Sequence, residues 1–294
     1  MPRTPVMVNT DPFANVRLRN IENNGRATDK FMVEMEDESG EFREIPGTGT
    51  VHSGDYKLVN NQEVYSTAQE ILTDSGLKFK PVPTFNGGHS RPTVWNGRRF
   101  SAKWYVEDAA VEAPDGSNVM LGIEATNSYD GSSKVGFSFF AMRLVCSNQF
   151  YSRNMLGKPF VFPHINRGGD LDEDIKIGLA QLKVQAGSFA KVLPKLKALQ
   201  ETRCESFNDF LQLRSGVLGL GFDMRDKHFL NELSGRGITQ ELGMKDVTYT
   251  DPSSYWSIAN AATAVTTHLV GGYRGPNQST RVVDYLLDQA DQAA

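Results

Sequence analysis

The sequence predicts an α+β chain in which an antiparallel β-meander packs on a long helix and is followed by a helical C-terminal portion. Three observations carry that expectation. Turn signals at Asn96-Gly97, Pro114-Asp115-Gly116 and Asp130-Gly131 punctuate segments whose apolar residues alternate with period two, as hairpin-connected strands do. After Gly169 the period changes: Leu171, Ile175, Leu179, Leu182, Ala186, Phe189, Val192 or Leu193, and Leu196 recur at helical spacing along one face. Asp170, Asp172, Glu173 and Asp174 at its start and Lys191, Lys195 and Lys197 near its end suit the helix dipole, and Pro194 should kink or interrupt it.

Taken in order, residues 1–30 are rich in Asn, Arg and Pro without a clear period and read as an extended N-terminal arm. Its apolar Val6, Val8, Phe13, Val16 and Leu18 should seek a partner surface, on a neighbouring subunit. Residues 31–215 form the expected α+β core. It opens with a short strand at Phe31–Met35, a hairpin tip at Glu36–Gly40 and a second short strand at Tyr56–Val59. Ser66 with Gln69 then makes a capping box for a helix that Gly76 ends. In Arg98–Val106 the pattern assigns Phe100, Ala102, Trp104 and Val106 to the core, and Arg99, Ser101, Lys103 and Tyr105 to the opposite face. Val119, Leu121, Ile123 and Ala125 are the core set of the next strand, and Val135–Val145, apolar on both faces, reads as a covered central strand. Residues 216–294 form the helical C-terminal portion, set off by the glycine-rich passage Gly216–Gly221. Its helices are expected near Asp226–Leu233, Tyr255–Leu269 and Thr280–Gln289, after one at Phe207–Leu213.

The net charge of −4 over 294 residues hides a segregated distribution. Residues 75–169 carry eleven bases against six acids, whereas residues 1–74 carry thirteen acids against seven bases. Between Ser75 and Val106 there are six cations and no acid, and Phe79, Phe85, Trp95, Phe100, Trp104 and Tyr105 are threaded among them. Cations interleaved with flat rings suit a single-stranded nucleic acid, whose phosphates need countercharge and whose unpaired bases need stacking partners. The DNA-binding candidates are Lys78, Lys80, Arg91, Trp95, Arg98, Arg99, Lys103, Tyr105, Lys134 and Arg153. Arg143, inside an apolar strand, is expected to pair with a buried acid instead.

Other chemistry is poorly represented. There is no GxxxxGK[ST] phosphate loop, since Gly216–Gly221 lacks the following lysine. His52, His89, His164, His228 and His268 are scattered without metal-ligand spacing, and Ser132, Ser133 and Cys146 have no nearby base. No catalytic residue, metal ligand or cofactor is therefore expected, and the chain does not read as an enzyme. Two cysteines, Cys146 and Cys204, favour a reducing compartment. With no long apolar run, the expected location is the cytoplasm, with no membrane partner.

Several fragments together resemble the phage- and plasmid-borne family known as domain of unknown function 932. They are Gly54-Asp55-Tyr56; Asn127-Ser128-Tyr129-Asp130-Gly131-Ser132 followed by Arg143-Leu144-Val145-Cys146-Ser147-Asn148; and Trp256 with Asn260-Ala261 and Thr263. The span runs from about Gly54 to His268. The residues also have plain roles: Asp130-Gly131 closes a hairpin, Asn148 caps or turns the end of a strand, and Trp256, Asn260 and Thr263 share a packed helical face. More distantly, a helix, a meander and a long helix in that order resemble the single-strand-annealing recombination proteins. That resemblance implies an ATP-independent single-stranded-DNA-binding and annealing protein of a phage or mobile element, acting as a homo-oligomeric ring or filament. The alternative is a phage structural or protein-interaction module without nucleic-acid activity.

Overall fold

The computed structural model describes residues 11–45, 52–83, 89–95, 97–144, 148–162, 164, 171–223, 226–237, 251–270 and 274–293. Two antiparallel sheets and a set of helices make up the α+β fold. The strands are β1 (Val16–Asn23), β2 (Arg26–Glu36), β3 (Phe42–Glu44), β4 (His52–Ser53), β5 (Phe79–Pro81), β6 (Thr93–Trp95), β7 (Arg99–Glu112), β8 (Asn118–Ser128), β9 (Val135–Arg143), β10 (Asn148–Phe150) and β11 (Phe160–Phe162). The large sheet runs β10-β9-β8-β7-β5, with β11 also on β9 and β6 also on β7; the small one runs β1-β2-β3, with β4 on β2.

The turn signals at Pro114-Asp115-Gly116 and Asp130-Gly131 join neighbouring strands, and Gly97 lies between the paired strands β6 and β7, Asn96 itself being outside the described residues. Gly116 illustrates why: at φ 77° it takes a conformation that costs a side-chain-bearing residue, while its N–H donates to Ala113 O. The alternation in β7 is as the sequence predicts, with Phe100, Ala102, Trp104 and Val106 buried and the residues between them half-buried. Val119, Leu121, Ile123 and Ala125 join the same inner face, as do Phe137, Phe139 and Ala141 of the covered strand β9. Arg143 ends that strand and meets a carboxylate: its guanidinium lies 2.7 Å from Asp115 Oδ2, and its Nε donates to Ser117. Although burial works against it, hydrogen bonds from Ser117 and the Arg143 charge hold the Asp115 carboxyl below the usual range.

Helices cover the inner face. They are α1 (Asn61–Asp74), α2 (Arg153–Leu156), α3 (Leu171–Ser188), α4 (Leu193–Glu201), α5 (Phe207–Gly219), α6 (Lys227–Leu233), α7 (Tyr255–Val265) and α8 (Arg274–Ala293). The expected long helix is interrupted: a 3-10 turn at Phe189–Val192 separates α3 from α4, and Pro194 sits in the first turn of α4, where its missing N–H costs nothing. Leu182, Phe189, Val192, Leu196 and Leu199 are buried against the sheet, in one core with Val64, Ala68, Ile71 and Leu72 of α1. The side chains of residues 171–176, 178 and 179, Leu179 of the expected apolar face among them, and all of Asp170 lie outside the described residues. Helix α7 continues as a π-helical turn, Thr266–Val270, and Trp256, Asn260 and Thr263 are buried on it as expected. The Trp256 indole N–H donates to Asp115 Oδ2 at 2.8 Å, so one carboxylate ties the β7–β8 turn to both β9 and α7.

Four local expectations are corrected. The arm is partly folded: β1 and β2 form a hairpin through Asn24-Gly25, both at positive φ, and Phe31–Met35 is the end of a longer strand. The arm's apolar residues cover their own chain, Val16 and Leu18 packing near Val33 and Met35, and Phe13 against Tyr65 and Phe100; Val6 and Val8 lie outside the described residues. Tyr56–Val59 is not a strand beyond a single bridge at Tyr56, where the Lys57 N–H donates to His164 O, and the short strand beside β2 is β4. Helix α1 starts at Asn61, well before Ser66, whose hydroxyl accepts from Gln62 within the helix. Tertiary contacts fix that start: the Asn61 N–H donates to the Tyr129 hydroxyl, and its amide to Pro12 O. Finally, the glycines expected to separate the C-terminal portion run into α5, where Gly216 leaves room for the Tyr285 ring of α8.

Candidate nucleic-acid interface

The face of the large sheet turned away from the inner helices carries most of the residues that the sequence singles out. Pairing sets their neighbours: Trp95 lies opposite Arg99, Lys103 opposite Glu124, and Lys80 opposite Tyr105. Trp95, at the sheet edge, is 51% exposed. The guanidinium carbons of Arg98 and Arg99 lie 5.5 and 5.4 Å from its ring centroid, close enough for cation–π attraction. Asp130 lies 3.9 Å from Arg98 and 3.7 Å from Arg99, and Arg99 Nε also donates to Ser132 Oγ at 2.6 Å. The β8–β9 turn thus holds two cations against one ring. Lys134, just before β9, and Arg91, just ahead of β6, are exposed.

The remaining candidates divide. Lys78 is exposed at the start of β5, and Lys80 is paired with Glu107 at 2.7 Å. Lys103 turns inward, its ammonium 2.7 Å from Gln149 Oε1 and 3.6 Å from Glu124 Oε1. Tyr105 packs with Val82, Phe140, Met142 and Tyr151 in a satellite core, so its ring is not a free platform. Arg153 is on α2 beside Asp284 of α8, away from the rest. One end of the face is therefore basic and aromatic, and the other is apolar.

Between these ends lies a buried polar cluster that the sequence does not reveal. Glu124, 4% exposed, accepts from Ser101 Oγ at 2.6 Å and from the Tyr151 hydroxyl at 2.8 Å. Burial and the Glu124 charge push the Tyr151 hydroxyl far above its ordinary pKa. Above Glu124 opens a cavity of about 150 Å³, whose lining includes Trp95, Ser101, Thr126 and Ser138, with Pro276 from the start of α8 also contributing. On the far side of Pro276 a second hollow of about 60 Å³ is lined by Lys103, Gln149 and Tyr151.

A second cluster joins residues far apart in sequence. The rings of His52 and Tyr56 stack at 3.7 Å, and the His164 ring stacks on Tyr56 at 5.2 Å. His52 Nε2 is 3.0 Å from Tyr129 O, and His164 Nδ1 is 3.3 Å from Lys57 O. Burial lowers the pKa of both imidazoles. Among the described residues, the buried Tyr56 hydroxyl and His164 Nε2 have no hydrogen-bond partner. Asn148 does not cap its strand: its amide donates to Asn260 O, and its Oδ1 is 3.1 Å from His268 Nε2. Cys204 has its thiol pushed up to about 11 by burial, and Cys146 lies outside the described residues. Among the described residues, no group of three or more His, Cys, Asp or Glu is placed to hold a metal ion, and no helix is long and apolar enough to cross a membrane.

Fold and face together define an α+β protein with a mixed basic and aromatic sheet edge. Residues 50–218 match the model of the family described as domain of unknown function DUF932, and the chain belongs to that family. The matched span includes Gly54-Asp55-Tyr56 and the Asn127–Ser132 and Arg143–Asn148 fragments; Trp256, Asn260 and Thr263 lie beyond it. No curated protein and no solved structure matches the chain.

Proposed function

We propose that the protein binds single-stranded DNA along the outer edge of its large sheet and acts without ATP as an annealing protein of a phage or mobile element, as an oligomer. The observation that carries the binding step is Trp95, an exposed ring with two guanidinium groups near it at the rim of a hydroxyl-lined cavity. A ring at a sheet edge stacks on a base only if that base is unpaired, and the neighbouring cations meet the phosphates on either side. Annealing and oligomer formation rest on the resemblance read in the sequence, a helix, a meander and then a helical stretch, to single-strand-annealing proteins.

The test is fluorescence anisotropy of the purified chain with a labelled single strand and the matching duplex over a range of salt, together with mass photometry of the same samples. The single strand should bind more tightly than the duplex. If Arg91, Arg98 and Lys134 each neutralise one phosphate, the log–log salt slope is about −2. Trp95→Ala should cost about 1–3 kcal/mol of binding, the worth of one base stacked on an aromatic ring. A monomer that binds neither strand, or binding with a flat salt slope, would sink the proposal.

A further inference from the structure

The cavity beside Trp95 has a chemistry that a general strand-binding surface does not require. Its mouth is an aromatic ring, its walls carry the hydroxyls of Ser101, Thr126 and Ser138, and at its floor is the buried carboxylate of Glu124. An enclosed apolar cavity of about 150 Å³ holds a benzene ring; this one has the same volume but is open beside Trp95, so a flat base can enter by one edge with the rest of its rings at the mouth. Glu124 Oε1 accepts from Ser101 and Oε2 from Tyr151, which occupies one acceptor site on each oxygen. A carboxylate has about four such sites, so acceptor capacity remains on Glu124, which lines the cavity, with the Lys103 ammonium 3.6 Å from Oε1.

We infer that this cavity takes one unpaired base out of the bound strand and selects guanine. The inference rests on the strand-binding reading above and deepens it. Guanine presents two adjacent donors, N1–H and the N2 amino group, to the two oxygens of a carboxylate. Thymine presents one N–H between two carbonyls, which a carboxylate repels; adenine and cytosine each place a ring acceptor beside their amino group. The base enters past Trp95, and its phosphates remain outside, where Arg98 and Arg99 flank the ring. Each subunit would then read one position of a strand that it otherwise holds without regard to sequence.

The experiment uses the full chain and two kinds of probe. Anisotropy compares an all-thymidine oligonucleotide with the same strand carrying one central guanine, which should bind roughly ten-fold more tightly, as one bidentate base contact provides. Tryptophan fluorescence follows titration with deoxyguanosine and thymidine monophosphates; because Trp104 and Trp256 are each only 2% exposed, quenching reports on Trp95. Guanine should quench at lower concentration, and Trp95→Phe should remove the response. Glu124→Gln should abolish the guanine preference. Should that variant fail to fold, Ser138→Leu, which fills the cavity from the neighbouring strand, is expected to abolish the preference as well. Equal binding of the two oligonucleotides, with no difference between the mononucleotides, overturns the inference while strand binding stands. Mononucleotide binding without any oligonucleotide binding overturns the strand reading on which it depends.

Discussion

Replacing Lys103 separates a cation that holds DNA from one that neutralises a buried acid. Its ammonium is 3.6 Å from Glu124 Oε1 and 2.7 Å from Gln149 Oε1, and its side chain is 23% exposed against 6% for Glu124. At an effective dielectric of about 20, unit charges about 4 Å apart attract by about 4 kcal/mol. Desolvation of both groups and the partial exposure of the lysine reduce this to a net coupling of about 1–2 kcal/mol. Adding the lost charge-assisted hydrogen bond to Gln149, Lys103→Ala should cost about 2–3 kcal/mol of folding stability. In urea titrations of Lys103→Ala, Glu124→Gln and the double variant, the double should be more stable than the sum of the singles by the coupling. The folded Lys103→Ala protein should retain its affinity for single strands. Costs that add to within about 0.5 kcal/mol, with normal stability and a large loss of DNA affinity, would refute the inward assignment.

Gly122→Ala places a methyl group on the ring of fully buried Phe140, across the β8–β9 pair, and should lower stability by about 1–3 kcal/mol in urea unfolding. Trp104→Ala removes a core indole beside Tyr65, 5.5 Å away centroid to centroid, and should cost about 3–5 kcal/mol by the same measurement. The imidazoles of His52 and His164 have folded pKa values below their unfolded ones, so the unfolded chain binds more protons and stability falls as pH drops below about 6.5. Melting temperatures between pH 7 and pH 5 should fall for the native chain and flatten for His52→Gln with His164→Gln; an unchanged slope would show that neither ring is buried neutral. Asp115 and Asp251, both depressed, lose their contribution only at lower pH, as each is protonated.

The parts of the fold readable in the sequence are those fixed locally. Strand alternation in β7, the three meander turns and the interruption near Pro194 each depend on a few adjacent residues. The β1–β2 hairpin was equally readable in Asn24-Gly25, but its strands alternate weakly and carry many charges, which masked the period. The position of Glu124 required long-range information. Counting back from the β7–β8 turn, where Glu112 faces Asn118, sets Lys103 across from Asn127; a bulge between Val106 and Ala110 shifts the register and brings Glu124 there instead. The stack of His52, Tyr56 and His164 is a tertiary product with no spacing signal. The sequence likewise assigns Tyr105 to the basic face correctly, but cannot say that Phe140 and Tyr151 would cover it.

The carboxylate of Asp115 has a consequence for how the chain is made. A ribosome delivers β7, β8 and β9 long before α7 and α8, yet Phe150 stacks on Trp256, and Val282, Val283, Leu286 and Leu287 complete the same core. Until those helices emerge, the nascent meander presents an apolar surface, and Asp115 and Arg143 lack the indole that closes their cluster. The region shared with the family ends at residue 218, before either helix. Expressed alone, that region would expose the surface that α7 and α8 bury, and should be recovered from cells in aggregates or bound to chaperones.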